Sequence, residues 1–199
     1  QDKGRNMSND LKFKISHKVT EDNSSNFTIK PLDRGYGITI GNSLRRALLT
    51  AVPGAAITNV KIEGAHHEFS TIDGVTEDVA DIIMNLKGVR FHLFESKVEP
   101  IFLKVKGPNA FTAADIQAVS DDFTILNPDH HITDIAKGTT LEVELRLGIG
   151  KGYKSSEENK LNNSPVGMIP IDSIFNPVTK VSFNVSPLPG AKEDTEMLS

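Results

Sequence analysis

Cysteine is absent from the 199 residues. Disulfides and cysteine-based metal sites are therefore excluded, and a reducing compartment fits the composition. Long apolar runs are also missing, and none approaches the length of a membrane-spanning helix. The N-terminal stretch QDKGRNMSND lacks the apolar core of a signal peptide, and Met7 is a candidate natural start. In that setting the Asn-x-Ser/Thr triplets at Asn23, Asn26 and Asn184 read as chance matches. There is no excess of positive charge. The formal net charge is −4 and the pI about 5.9, which argues against a mainly electrostatic nucleic-acid binder, although a local basic patch stays open. With 38% hydrophobic and 24% charged residues, the chain reads as globular, long enough for one large or two small cores.

What is present is a mixture of strand and helix signals. LKFKISHKV alternates Leu11, Phe13 and Ile15 with polar neighbours, as a half-buried strand does, and NFTIK (26–30) reads as its hairpin partner across EDNSSN. PLDRGYGITIG leads into a helix expected from about Thr39, as N-cap, to Val52, with Pro53-Gly54 as its stop. ITNVKIEG reads as a short strand. DVADIIMNL places Val79, Ile82, Ile83 and Leu86 at i, i+3, i+4 and i+7, a helix with one buried face. IFLKVKG and FTILN read as strands, and TAADI as a short turn opened by a Thr112/Asp115 capping pair. LEVELRLGIG is the clearest strand, with Leu141, Val143, Leu145, Leu147 and Ile149 on one face. A polar loop, GKGYKSSEENKLNNSP, follows it. IPIDSIFNPV and KVSFNV are strand-like, whereas SPLPGAKEDTEMLS has no evident core-forming pattern. Strands and helices without a regular βαβ alternation point to an α+β fold with mostly antiparallel sheet.

Two adjacent arginines sit inside the first helix, in GNSLRRALL. On a wheel advancing roughly 100° per residue, Ile40, Ala47, Leu48 and Ala51 fall within about 60° of Leu44 and form the core stripe. Asn42, Arg45, Arg46 and Leu49 occupy a second face, roughly 100° to 200° away. That face is either solvated with one exposed leucine or a partner site, because arginine combines a planar donor fork with apolar stem area. Spacing alone leaves both open.

Enzymatic chemistry finds little support. Gly35-Tyr-Gly37-Ile-Thr-Ile-Gly41 approaches a dinucleotide-binding turn, but its GxGxxxG spacing is one residue too long. The strand before it alternates where that motif wants a continuously apolar one. The structural reading is that the glycines permit tight entry to the helix. His66-His67-Glu68 invites a metal reading, yet neighbours on a strand face opposite ways, so only His66 and Glu68 would face together. His130-His131 meets the same objection, and no set of three or four converging ligands is specified. GKGY (150–153) is a turn or an anion nest. No Ser-His-Asp or paired-carboxylate constellation stands out, and the sequence calls for no metal or cofactor.

Taken together, the motifs carry a resemblance. PLDRGYGITIGNSLRRALLTAVPGAAITNVKIEG, followed by HEFSTIDGVTEDVADIIMNLKGV, resembles the N-terminal domain of the alpha subunit of bacterial-type DNA-directed RNA polymerase. FTAADI, ILNPDHHI, GKGY and IPIDSIFNPV resemble the same family in the same order, so the likeness runs from about Leu11 to Val185. It implies a non-catalytic subunit whose homodimer scaffolds the large beta and beta′ subunits, meeting DNA only through the complex and no membrane. It implies a discontinuous dimerisation subdomain, 7–52 plus 169–199, and an inserted subdomain, 53–168. Arg46 and Leu49, with Arg45 beside them, are expected on the large subunits, as are His67 and Glu68 of HEFST, Lys87 of the NLKG turn, and Gly150, Lys151, Gly152 and Tyr153. Ile40, Leu44 and Leu48 are expected in the core or the dimer interface.

The resemblance also marks departures. Family members continue with a further strand and a long amphipathic helix that completes the dimer interface. This sequence stops at Ser199, and SPLPGAKEDTEMLS departs from the common bacterial pattern. Weak or altered dimerisation is the expectation, in a bacterial cytoplasm or, for a plastid member, the stroma. The contrasting readings are a small nucleotide- or metal-dependent enzyme built on the glycine turn or the histidines, and a related assembly domain from another transcription complex.

Overall fold

The structure is a computed structural model that describes residues 13–21, 24–65, 67–94, 99–190 and 194–199. Met7, Leu11, Asn23 and His66 lie outside the described residues. The chain divides into two compact units, Gln1–Leu48 with Lys180–Ser199, and Leu49–Thr179.

The first unit opens with β1 (Lys14–Glu21) and β2 (Ser24–Asp33), followed by α1 (Tyr36–Thr50), near whose end the division falls. The second holds β3 (Pro53–Ile62), α2 (Val79–Lys87), β4 (Phe91–Leu93), β5 (Ile101–Lys106), β6 (Asn109–Thr112), α3 (Ala113–Gln117), β7 (Phe123–Ile125), β8 (His131–Ile135), β9 (Thr140–Lys151), β10 (Tyr153–Lys154), β11 (Ile169–Pro170) and β12 (Ser173–Ile174). The chain then returns to the first unit with β13 (Val185–Pro187) and β14 (Thr195–Leu198). Every strand pairing among the described residues is antiparallel, so the fold is α+β as the sequence indicates.

The core of the second unit follows the periodicities. β5 alternates strictly, burying Ile101, Leu103 and Val105. β9 buries Leu141, Val143 and Leu145, but its apolar face opens toward the end, where Ile149 is 47% exposed. The main sheet runs β5-β9-β3-β4-β7, with β11 added to β3. α2 contributes Val79, Ile82, Ile83 and Leu86 to that core. Asp78 caps the helix by accepting from the Asp81 N–H at 2.8 Å, which satisfies one of the donors left over at its start. The Thr112/Asp115 pair also forms: the Thr112 N–H donates to Asp115 Oδ2 at 2.8 Å.

Expectations fail mainly in the first unit. Its sheet has the order β1-β2-β14-β13. β1 alternates as expected but is not half-buried: its Ile15 and Val19 are exposed, as are Phe13 just before it and Phe27 on β2. The segment without evident core-forming pattern supplies β14, whose Leu198 is only 4% exposed. The strand is held by backbone pairing to β2 and β13, and four residues are too few to show a period.

Candidate partner-binding surface

α1 begins at Tyr36, three residues before the expected Thr39 cap. Gly35 makes the turn with φ +89°, a conformation that L side chains rarely adopt. The helix start is capped from β14. The Gly35 N–H donates to Glu196 Oε1 at 3.0 Å and the Gly37 N–H to Oε2 at 3.1 Å. A carboxylate here satisfies two unpaired donors and lies at the positive end of the helix dipole. Thr39 is already inside the helix and donates its hydroxyl back to the Gly35 carbonyl at 3.2 Å.

The glycines of the entry are packing positions. A Cβ on Gly37 would lie 2.7 Å from Val185 Cγ1, and one on Gly41 would lie 2.5 Å from the Phe183 ring. The same facts count against the dinucleotide reading, because the Gly35 and Gly37 amides are bonded to Glu196 and the Gly37 and Gly41 surfaces are filled.

On the wheel, the buried Gly37 and Gly41 fall within about 60° of Leu44, but of the expected stripe Leu44, Ala47, Leu48 and Ala51 are exposed. The stripe is covered only in its first half. Ile40 is half-buried, whereas Leu44 and Leu48 are 44% and 39% exposed. Among the described residues Leu44 and Leu48 are not packed into the core, since the side chains that cover the helix, Phe183 and Val185, sit at its glycine end. Arg45 and Arg46 are exposed and Leu49 is half-buried.

The end of α1 lies beside the GKGY turn. Pro53 and Gly54 of β3 pair with Lys151 and Gly150 of β9. A Cβ on Gly152, whose φ is +62°, would lie 3.6 Å from the Thr50 carbonyl oxygen. Gly54 and Gly150 leave room for Phe175: added Cβ atoms would lie 1.9 Å from its carbonyl oxygen and 2.7 Å from its ring. The Phe175 N–H donates to the Gly152 carbonyl at 2.8 Å. Two members of the turn are thus packing elements, while Lys151 and Tyr153 point to solvent.

Lys87 ends α2 and forms an ion pair with Asp172, between β11 and β12. Because β12 pairs with β10, Lys87 and GKGY are fixed to the same segment, 169–175. His67 and Glu68 are not brought to it. They lie in a turn rather than the strand the sequence suggests. The His67 N–H donates to Ser70 Oγ at 3.2 Å, and the Val79 N–H donates to the Ser70 carbonyl. HEFST therefore sits at the start of α2 and Lys87 at its end, about 13 Å apart along nine residues. His130 is committed to the backbone, with Nε2 2.8 Å from the Asn85 carbonyl oxygen.

Three residues of this arrangement escape sequence reasoning: Glu196, Asp172 and Asn159. Asn159 comes from the polar loop yet is 4% exposed. It donates to the Ile171 carbonyl at 2.7 Å and to Ser173 Oγ at 2.9 Å, and it accepts from Asn59 Nδ2 through its carbonyl. The turn before it is closed by Glu158, which accepts from the Ser155 N–H and hydroxyl, both at 3.0 Å. Those two bonds hold the Glu158 carboxyl below the usual carboxylate range, with a smaller contribution from the charge of Lys154.

The family model described as RNA polymerase Rpb3/RpoA insert domain matches residues 60–176, more than half of the chain. The chain belongs to the RNA polymerase alpha-subunit family. The DNA-directed RNA polymerase subunit alpha of Salinibacter ruber is 51% identical over 178 residues, covering 89% of this chain and 54% of that protein. The subunit of Chloroherpeton thalassium is 47% identical over 174 residues, covering 87% and 53%. That of Alkaliphilus oremlandii is 49% identical over 172 residues, covering 84% and 54%. The chain thus spans about half the length of the curated relatives it matches. Among the described residues, no helix is long and apolar enough to cross a membrane.

Proposed function

We infer that this chain is a non-catalytic assembly element of DNA-directed RNA polymerase, whose homodimer offers docking surfaces to the beta and beta′ subunits. The observation that carries the reading is α1, in a chain of the alpha-subunit family. The helix is anchored at its start by Glu196 and two glycines, and it exposes Arg45 and Arg46 on one face and Leu44 and Leu48 on another. Apolar area flanked by arginine is the composition of protein-binding hot spots. In this reading the arginine face with Leu49 meets a large subunit. Lys151 and Tyr153 of the GKGY turn, Lys87, and the His67-Glu68 turn are further contacts with the large subunits in this reading.

The uncovered leucines, with Phe13 and with Ile15, Val19 and Phe27 of β1 and β2, supply the homodimer surface. The return of Lys180–Ser199 to the first unit supports a discontinuous dimerisation subdomain (7–52 with 169–199) around an inserted one (53–168). A bacterial cytoplasm or plastid stroma is the compartment that goes with this function.

The test is capture of the beta subunit by the chain carrying Arg46→Ala or Leu49→Ala. Each is expected to weaken binding by roughly 2 kcal/mol, about thirtyfold, as truncated hot spots do. Undiminished capture by folded variants would remove the site assignment. Sedimentation of the chain should show a mass that rises with concentration and falls to monomer in Leu44→Glu; a fixed monomer mass at all concentrations would end the dimer reading.

A further inference from the structure

The exposed face of β8 carries a constellation that the assembly role leaves unused. We propose that Glu77, His131 and Asp134 form a binding site for a divalent transition-metal ion, with zinc the best match to the donor set. Their ligand atoms all lie within 4.8 Å of one another. His131 Nε2 is 3.4 Å from Asp134 Oδ2 and 3.9 Å from Glu77 Oε1. Tetrahedral zinc with bonds of about 2.0–2.1 Å separates its ligand atoms by about 3.3 Å. The His131–Asp134 pair already has that spacing, the His131–Glu77 pair needs a shift of about half an ångström, and the Glu77–Asp134 pair, within 4.8 Å, closes by side-chain torsion.

The backbone explains why these residues converge. In a regular strand, residues 131 and 134 would point to opposite faces. The β6–β8 register is broken, with Phe111 opposite Thr133 and Thr112 opposite His131, so that Ile132 is an extra residue. Ile132 and Thr133 are both buried, and His131 and Asp134 emerge together on the exposed side. A bulge re-aims side chains in this way. The third ligand is brought in by pairing of residues 74–77 with the end of β8. The Thr76 N–H donates to the Asp134 carbonyl at 3.0 Å and the Ala136 N–H to the Gly74 carbonyl at 2.8 Å, and Val75 bridges Ile135.

Glu77 is also oriented as a ligand would be. Its Oε2 accepts from the hydroxyl of fully buried Thr133 at 2.6 Å and from the Asp134 N–H at 3.0 Å. That fixes the carboxylate plane and turns Oε1 toward His131, the outer-shell support that metal ligands commonly have. Side-chain exposure of 45% at His131 and 58% at Asp134 keeps further coordination positions open to water. The alternative use of the same geometry is an ion pair of protonated His131 with the two carboxylates, and the experiment separates the two.

The whole chain is titrated with zinc chloride near neutral pH by calorimetry, with the ring resonances of His131 followed by NMR. One site of micromolar affinity is expected, with the His131 signals moving in step with the heat. His131→Asn and Glu77→Gln should each weaken it at least tenfold, and Thr133→Val several-fold through loss of the Glu77 orientation. His92→Asn, on another strand, should leave it unchanged. Circular dichroism checks that the variants fold. Absence of heat at millimolar zinc, or equal affinity in His131→Asn and His92→Asn, would overturn the proposal in favour of the ion pair.

Discussion

Replacing Glu196 by alanine removes one side chain from β14 and is expected to loosen the start of α1, which lies far away in sequence. Both carboxylate oxygens are engaged, by the Gly35 N–H at 3.0 Å and the Gly37 N–H at 3.1 Å. Loss of a single neutral helix cap costs about 1 kcal/mol. A charged acceptor at a half-buried helix start adds between a few tenths and about 2 kcal/mol through the dipole. The removed side chain leaves backbone donors that water can partly reach, so the two contributions do not add in full. A total of about 2 kcal/mol is expected, a factor of about 30 in the local opening equilibrium.

Amide hydrogen exchange reads that equilibrium directly, helix by helix. Amides in α1 should lose about thirtyfold protection, while those in β9, in the other unit, keep theirs. Glu196→Gln retains one acceptor but turns an amide donor toward the second N–H, so it should lose roughly half as much free energy. The charge-dependent share must also shrink in about 1 M salt, where screening acts over only a few ångströms. α1 protection within twofold of the parent in Glu196→Ala would refute the idea that this carboxylate holds the helix. A loss that is the same at low and high salt would refute its electrostatic share.

Two further outcomes follow from the packing and the polar turn. Gly41→Ala places a methyl 2.5 Å from the Phe183 ring, so overpacking should lower stability by about 1–3 kcal/mol in urea unfolding; adding Phe183→Leu should recover part of it, and equal stability of Gly41→Ala and parent would contradict the contact. Glu158 is held below the usual carboxylate range chiefly by the Ser155 N–H and hydroxyl. Its folded value is below its unfolded value, so what it contributes is present above the usual carboxylate range and lost as pH falls through the folded value. Ser155→Ala should move the Glu158 carboxyl toward the ordinary value in an NMR titration, and an unmoved titration would contradict the hydroxyl's part in it.

Much of the second unit was legible because its information is periodic. Val79, Ile82, Ile83 and Leu86 repeat at the helical spacing, and Leu141, Val143 and Leu145 at the strand spacing, and each set is buried on one face. The capping pair Thr112 and Asp115 was legible for a different reason: both partners are local, three residues apart. The illegible features are contacts between distant residues with no period. Glu196 serves a helix that begins at residue 36, Asp172 neutralises Lys87, and Asn159 reaches the main sheet from a polar loop. His131 is a sharper case. Local reasoning correctly separated it from His130, yet it could not foresee a bulge at Ile132 that sets it beside Asp134.

The first helix shows what periodicity leaves undetermined. The wheel groups Gly37, Gly41, Leu44 and Leu48 on one stripe, and grouping is all that a wheel can do. Phe183 and Val185 cover the glycine half and reach no farther, so an identical apolar signal corresponds to a buried contact at one end and an open surface at the other. The glycines mark the closest approach, because a helix backbone comes nearest to an aromatic ring where it lacks side chains. The leucines mark the part of the stripe that the described residues leave exposed. A second surface is therefore needed to remove Leu44 and Leu48 from water. Since full burial of a leucine is worth about 1.5–3 kcal/mol, covering two on each copy of a homodimer, each about 40% exposed, yields on the order of 2–5 kcal/mol. That is too little to hold a tight dimer alone, and in the proposed homodimer the exposed Phe13, Ile15, Val19 and Phe27 are the apolar surface that adds to it.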